Sequence, residues 1–143
     1  MIIIRSLYNG FNIAGASRGA LSVRLNTVSS NLVNADVVSS KAADVYKSRQ
    51  PVFSAVMDAL GGGDNQASVP VRVSAIVEST AAARQEYQPE HPMANKEGYI
   101  FKSNVNSIEE MANMMAASRS YQNNVEVFNT SKQLLLKTLN MGR

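Results

Sequence analysis

The side chains best suited to chemistry in this sequence are one histidine and one pair of adjacent glutamates. His91 is the only histidine and lies between prolines in the segment PEHPMAN. A zinc site or a hydrolase triad needs further groups at defined spacings, and none accompanies it. Glu109 and Glu110 are neighbours on a predicted helix, where adjacent side chains point about 100° apart and do not share a site. We therefore interpret His91 as a residue that packs or hydrogen-bonds within a rigid loop. The glutamates are interpreted as favourable charges at the start of a helix.

The glycine triplet Gly61–Gly63 is the other feature with a known chemical use in proteins. Phosphate-binding loops place such glycines between a strand and a helix and follow them with a lysine. Here the polar residues DNQAS follow, which is typical of a mobile loop. The chain also has no cysteine, which excludes disulfides and thiolate metal sites. The sequence thus predicts no enzyme activity, no cofactor and no metal site.

Composition narrows the function classes further. The 143 residues are 45% hydrophobic and 17% charged with a net charge of +3, which indicates a globular chain of about one domain. Lys and Arg are scattered from Arg5 to Arg143, without the basic cluster typical of nucleic-acid binding. Only Met1 and three isoleucines precede Arg5, and no apolar run approaches the ~18 residues of a membrane span. We expect no cleaved signal peptide, no membrane insertion and no nucleic-acid partner.

Apolar residues recur at alternating steps of three and four at both ends of the chain, a spacing typical of coiled-coil helices. We call these two series the helix seams. The first consists of Ile4, Leu7, Phe11, Ala14, Arg18, Leu21, Leu25, Val28, Leu32 and Ala35. The second consists of Met111, Met114, Ser118, Tyr121, Val125, Phe128, Lys132, Leu135 and Leu139. The seams predict an N-terminal helical arm over residues 1–36 and a long helix over residues 105–143.

The second predicted helix has recognisable ends. Asn106 or Ser107 can cap its first turn. The negative charges of Glu109 and Glu110 are favourable there, because the N-terminus of a helix carries a partial positive charge. Gly142 suits the position after the last turn. A helix of about 34 residues would be roughly 50 Å long, far longer than the average globular helix.

Residues 37–104, between the helices, have a different pattern. They contain all four prolines and the glycine triplet, and short alternating runs predict β-strands. Pro51 would confine its strand to a sheet edge, and a flexible loop is expected around 61–68. The predicted fold is mainly α with a small β-rich insert, its long terminal helices packed as an antiparallel coiled coil. The predicted strands are Val45–Phe53, Val69–Glu78, Arg84–Tyr87 and Gly98–Lys102.

The segment SRSYQNNVEVFNT, from Ser118 to Thr130, is rich in side-chain amides for the middle of a helix. Asparagine is a mediocre helix former because its side chain competes for backbone hydrogen bonds. Asn26, Asn31 and Asn34 repeat the feature in the first helix. A solvated face is one interpretation, and hydrogen bonding across helix contacts is the other. The recurrence in both helices favours contacts between helices.

Two sets of candidate assembly residues follow from these patterns. Two long helices and a small insert cannot cover both seams, so we expect contacts with other molecules. Met111, Met114 and Met115 suit either seam packing or an adaptable partner surface, and both interpretations stay open. The candidate seam contacts are Leu21, Leu25, Val28, Leu32, Asn34, Met111, Met114, Tyr121, Val125, Phe128, Leu135 and Leu139. The candidate inter-subunit hydrogen-bonding residues are Arg119, Gln122, Asn123 and Asn124.

Both ends of the chain also resemble a known family. The segment RLNTVSSNLVNAD (Arg24–Asp36) resembles the N-terminal signature of bacterial flagellar basal-body rod proteins, and Gly98–Gly142 resembles their C-terminal signature. Of the Gly-x-Pro-Tyr motif common after the first helix, ADVY keeps only Tyr46. The C-terminal motif elements are found here at Gly98-Tyr99, Asn104-Val105, Glu110-Met111, Ala117–Gln122 and Leu139–Gly142.

The resemblance implies a structural subunit of the flagellar basal-body rod without enzyme activity. Members of this family leave the cytoplasm unfolded through the flagellar type III export apparatus, without a cleaved signal peptide. They polymerise with copies of themselves and with other rod proteins into the shaft that crosses the periplasm, their terminal helices forming its inner layer. A soluble coiled-coil adaptor and a basic nucleic-acid binder are the alternatives that the residues alone leave open.

Overall fold

The computed structural model of the protein describes residues 2–56 and 69–141. Two long helices flank five short strands, which confirms a mainly helical chain with a small antiparallel β region. The loop expected around 61–68 and the helix end at Gly142 lie outside the described residues. No helix within those residues is long and apolar enough to cross a membrane. In chain order the elements are α1 (Ile2–Val33), β1 (Val38–Ser39), β2 (Arg49–Ala55), β3 (Val71–Glu78), β4 (Arg84–Tyr87), β5 (Tyr99–Lys102) and α2 (Ser107–Met141).

Helix α2 begins at one of the two predicted caps. Asn106 Oδ1 accepts a hydrogen bond from the backbone N–H of Ile108 at 3.2 Å, and Glu109 and Glu110 follow in the first turn. Acidic side chains there offset the partial positive charge of the unpaired N–H groups. The helix continues for 35 residues, or about 50 Å.

The two helices pack directly against each other. The rings of Phe11 and Phe128 lie 4.5 Å apart between centroids, and the Arg18 guanidinium carbon lies 5.5 Å from the centroid of Phe128. A cation over an aromatic face is favourable, which explains how Arg18 keeps its place in an otherwise apolar seam. Ala14 and Ala117 are buried, and their small side chains let two helices approach closely.

A second side of α1 is also buried, and the seam did not predict it. Ala20, Thr27 and Asn31 are 7% exposed or less and recur at i, i+7 and i+11, so they share one side of the helix. Strands β2 and β3 pack against α1, which accounts for this burial. A single heptad series describes contact with one neighbour, whereas α1 has two.

Strands β2 and β3 form a two-stranded antiparallel sheet whose register shifts between Val52 and Phe53. We call this sheet the β2–β3 ribbon. Within the described residues β2 pairs only with β3, so the edge position predicted for Pro51 is confirmed. This strand begins and ends a few residues later than predicted.

The second sheet has the strand order β1-β5-β4 and is antiparallel throughout. Strands β4 and β5 occupy the two segments predicted for them, whereas β1 is only two residues long and too short for a periodic signal. Lys102 on β5 forms an ion pair with Glu86 on β4. The hydrogen bond from this ammonium group lowers the pKa of the exposed Glu86 carboxyl below its ordinary value.

The connection between β4 and β5 depends on glycine at position 98. Gly98 has a φ of 83°, in the left-handed region that residues with a side chain disfavour. A Cβ atom there would lie 2.8 Å from Cε2 of Tyr87 and 3.2 Å from Cβ of Pro89. The Tyr87 ring is itself packed edge-on against Tyr99, with centroids 5.2 Å apart. Neither the backbone conformation nor the surrounding space accommodates a larger residue.

We predict that Gly98→Ala lowers the free energy of unfolding by about 2–4 kcal/mol, because left-handed strain and overpacking add. Gly10→Ala is the control, since Gly10 lies inside α1 and a Cβ atom there would meet nothing within 4 Å. It should raise stability by up to about 1 kcal/mol. Urea unfolding followed by circular dichroism measures both. Unchanged stability of Gly98→Ala would contradict the steric argument.

Candidate assembly surface

The candidate seam residues lie on α1 and α2 or, for Asn34, directly after α1, and the chain covers them only in part. Val28 is 5% exposed, whereas Met111 and Leu139 are 57% and 53% exposed. Much apolar surface along the helix pair therefore remains available to another chain. The remaining seam candidates are half-buried: Leu21, Leu25, Leu32, Asn34, Met114, Tyr121, Val125, Phe128 and Leu135.

Helix α2 carries a second apolar strip on its outer side. Ile108, Met111 and Met115 are 81%, 57% and 66% exposed, and their spacing of i, i+3 and i+7 places them on one side of the helix. Met114 is half-buried and lies about 60° around the helix from Met111, nearer to the side that carries the buried Ala117. The methionines thus divide between the two uses left open by the sequence. The chain partly covers Met114, whereas Met111 and Met115 present flexible apolar side chains to the surroundings.

The candidate hydrogen-bonding residues occupy the middle of the same helix. Arg119, Gln122 and Asn123 are exposed. Asn124 is half-buried, and its Oδ1 is buried without a hydrogen-bond partner in the described part of the chain. The exposed three have their polar atoms open to water or to a neighbouring molecule, and Asn124 has one oxygen turned inward.

An open groove of about 480 Å³ runs along α2 beside these residues. Two half-buried side chains, Tyr121 and Val125, give it an apolar floor, and its other lining residues are exposed and polar. Helices pack by placing a ridge of side chains into such a groove. The lining residues are Tyr121, Gln122, Val125, Glu126, Asn129, Thr130 and Gln133.

Asn31 lies where α1 meets the insert, and it is 1% exposed. Its Oδ1 accepts hydrogen bonds from the backbone N–H of Arg49 and from the Tyr46 hydroxyl, both at 2.9 Å. Its Nδ2 donates to the carbonyl oxygen of Arg49 at 2.8 Å. The recurrent amides predicted contacts between helices, and for Asn31 that prediction is wrong because the partner is a strand. Asn34 instead donates to the carbonyl oxygen of Ser30 in its own helix, at 2.8 Å.

The residues considered for chemistry have local roles. His91 Nδ1 accepts a hydrogen bond from the backbone N–H of Met93 at 3.1 Å, which stabilises its own turn. Glu109 is exposed, whereas Glu110 is 6% exposed, so the two carboxylates point in different directions as predicted. Residues 2–56 and 69–141 contain no group of three or more His, Asp or Glu side chains placed to hold a metal.

Comparison with known proteins shows the family. A family profile described as "Flagellar basal body rod FlgEFG protein C-terminal" matches residues 96–141. The flagellar basal-body rod protein FlgC of Salmonella typhimurium is 44% identical over 138 residues, 96% of this chain and 99% of that protein. FlgC of Escherichia coli is 44% identical over 140 residues, with the same coverage of both chains. FlgC of Bacillus subtilis is 31% identical over 147 residues, 95% of this chain and 98% of that protein. The chain belongs to the FlgC family.

Membership in the FlgC family confirms the function that the two sequence motifs implied, a structural rod protein of the flagellar basal body. The profile match includes β5, the residues that lead into α2 and the whole described length of that helix. The candidate assembly surface on α2 thus lies within the part of the chain that matches the profile. The similarity to the FlgC relatives also extends over α1 and the insert.

We predict that Asn31→Ala lowers the free energy of unfolding by about 2–4 kcal/mol, because it removes the partner of two Arg49 backbone groups and of the Tyr46 hydroxyl. Asn26→Ala is the matched control, since Asn26 is an exposed amide on the same helix, and it should change stability by about 0.5 kcal/mol or less. Equilibrium urea unfolding measures both variants. Similar stabilities would show that water replaces the Asn31 amide without cost.

Proposed function

We propose that this FlgC-family protein polymerises through its terminal helices, with copies of itself and with other flagellar rod proteins, into the periplasmic shaft of the basal body. The observation that carries the proposal is the apolar surface that the helix pair leaves uncovered. Met111, Met115 and Leu139 are each more than half exposed. Burying one large apolar side chain contributes about 1.5–3 kcal/mol, so association that covers them is favourable. The seam candidates are the proposed apolar contacts, and the role is structural rather than enzymatic.

Within the subunit, we propose that the helices form an antiparallel coiled coil. Phe11 near the start of α1 contacts Phe128 near the end of α2. Near the other ends, Asn31 Nδ2 lies 3.5 Å from Ser48 Oγ, and the backbone N–H of Ser48 donates to Asn104 Oδ1 at 2.7 Å. These contacts support opposite helix directions, and the steps of three and four support coiled-coil packing. The subunit then divides into an arm (1–36), an insert (37–104) and a long helix (105–143).

The polar middle of α2 is the second part of the proposed interface. Arg119, Gln122, Asn123 and Asn124 would hydrogen-bond to neighbouring subunits beside the groove, and for Asn124 the amide nitrogen remains for this purpose. Hydrogen bonds are directional and therefore resist sliding between helices, which apolar contact does not. Each contributes about 0.5–1.5 kcal/mol net, a small amount that a polymer repeats at every subunit contact.

The protein is further proposed to reach the basal body through the flagellar type III export apparatus, without a cleaved signal peptide. Its place in the FlgC family supports this route. Mass spectrometry of the subunit from purified basal bodies should give the mass of the full translation product of its gene, with or without the initiator methionine. A mass lower by roughly 15–30 residues would indicate a removed signal peptide and would overturn this part of the proposal.

We predict that Asn123→Ala combined with Asn124→Ala impairs rod assembly although it favours the helix. Alanine is the better helix former, so circular dichroism of the purified chain should show equal or greater helicity. Two lost amides remove about 1–3 kcal/mol per subunit contact, enough to lower incorporation into basal bodies about fivefold or more. Incorporation is measured by immunoblot of basal bodies from a strain that lacks its chromosomal copy of the gene.

The control for this experiment removes two exposed amides from the insert instead, with Gln50→Ala and Gln85→Ala. If the subunit assembles through its helices, this control should be incorporated normally. Leu139→Glu, which places a charge on the exposed end of the seam, should reduce incorporation as the α2 double variant does. Normal incorporation of both α2 variants would assign these residues to the solvated surface.

A further inference from the structure

The three-stranded sheet of β1, β4 and β5 is connected to the rest of the molecule mainly through the segments at its base. Among the described residues no Cα atom of its strands lies within 8 Å of a Cα atom of either helix or of the β2–β3 ribbon. Its orientation therefore depends on the connecting segments at its base, where residues 34–37, 46–49, 79–84 and 103–106 meet. We infer that Asn104 and Arg84, together with Asn31, form a rigid joint that fixes the angle between this sheet and the helix pair.

Asn104 connects three of these segments through one side chain. Its Oδ1 accepts a hydrogen bond from the backbone N–H of Ser48 at 2.7 Å, and its Nδ2 donates to the carbonyl oxygen of Ala81 at 2.9 Å. Asn104 itself lies between β5 and α2. The amide therefore ties the approach to β2 and the connection between β3 and β4 to the start of α2.

Arg84 links the start of β4 to the segment between β5 and α2. Its Nε donates to the carbonyl oxygen of Ser103 at 3.0 Å, and one terminal nitrogen donates to that of Val105 at 2.8 Å. Because the guanidinium is planar and rigid, two such bonds fix direction as well as distance. Arg84 is the first residue of β4, so these bonds orient the strand relative to the residues that lead into α2.

The backbone beside these two side chains is also paired. The N–H of buried Ser103 donates to the carbonyl oxygen of Val37 at 3.2 Å, and the N–H of Val105 donates to Ser103 Oγ at 3.2 Å. Asn31 forms hydrogen bonds with the Arg49 backbone and the Tyr46 hydroxyl. These residues flank Ser48, whose N–H donates to Asn104. The apolar residues buried in or near these segments are Ala35, Val45, Ile100 and Val105. Apolar contact is non-directional, so the hydrogen bonds determine the angle.

A rigid joint has a mechanical use in a rotating shaft, where an insert that swings would absorb part of the rotation. This use rests on the proposed function, whereas the joint itself is a property of the single chain. The two can be tested separately. A mobile sheet in a variant whose rods assemble and turn normally would refute the mechanical use and leave the joint in place.

The joint is tested by the distance between two spin labels in the full-length chain. Labels attached at Ala116→Cys on α2 and Gln85→Cys on β4 occupy exposed positions, and the chain has no other cysteine. Asn104→Asp keeps the acceptor for Ser48 but replaces the donor to Ala81 with a repelling oxygen. Arg84→Lys keeps the charge but cannot bridge two carbonyls. Each of these two variants should increase the width of the distribution of distances between the labels about twofold, because hydrogen bonds that restrain the sheet are lost.

Matched controls keep the experiment specific. Asn26→Asp and Arg72→Lys make the same chemical changes at exposed positions, and both should leave the distribution as narrow as in the unchanged chain. If circular dichroism shows that Asn104→Asp does not fold, the test rests on Arg84→Lys. Arg84 is an exposed residue, so this substitution should leave the chain folded. Narrow distributions in the folded joint variants, or equal widening in the controls, would overturn the inference.

Discussion

The hydrogen bonds between the Asn31 side chain and the Arg49 backbone determine how the helical and β parts of the molecule combine. A carboxamide presents a donor and an acceptor side by side, as the N–H and C=O of a single residue do at a strand edge. Asn31 therefore pairs with Arg49 much as a residue of a neighbouring strand would. Arg49 is the first residue of β2, and β2 aligns β3 along its whole length. The amide thus helps to hold the β2–β3 ribbon against the side of α1 that carries Ala20 and Thr27.

Helix α2 has two sides of different character. Its inner side, with Ala117 and Phe128, packs on α1. Its outer side changes along the helix, from the apolar strip that contains Met111 and Met115 to the amides around Asn123. An outer side that was apolar throughout would favour association but not one register, because apolar contacts are non-directional. Polar groups at a few positions restrict the number of acceptable alignments, at some cost in stability.

The parts of this structure that the sequence predicted depend on a local period, and the parts that it did not predict depend on contacts between distant residues. The helices, strands β3 to β5 and the Asn106 cap follow from spacings of two, three and four. The partner of Asn31 lies 18 positions away and that of Asn104 lies 56 positions away, and such pairings leave no periodic trace. The family signature includes Asn104, but its consensus does not say which backbone groups the amide binds. Thr27 lies outside the heptad series because α1 has a second neighbour.

The helix pair contains two unfavourable features of its own. Glu110 and Asn124 lie seven positions before and after the fully buried Ala117, and each has one side-chain oxygen that is buried without a hydrogen-bond partner in the described part of the chain. A buried polar atom without a partner costs about 1–3 kcal/mol. The positive end of α2 offsets part of this cost for Glu110, which lies in the first turn, but not for Asn124, which lies several turns further on. Both costs fall on the contact between α1 and α2, whereas the insert is held by satisfied hydrogen bonds. If the subunit polymerises through α2 as proposed, burial of the exposed apolar strip would offset these costs without removing them, since each large apolar side chain that is covered contributes about 1.5–3 kcal/mol.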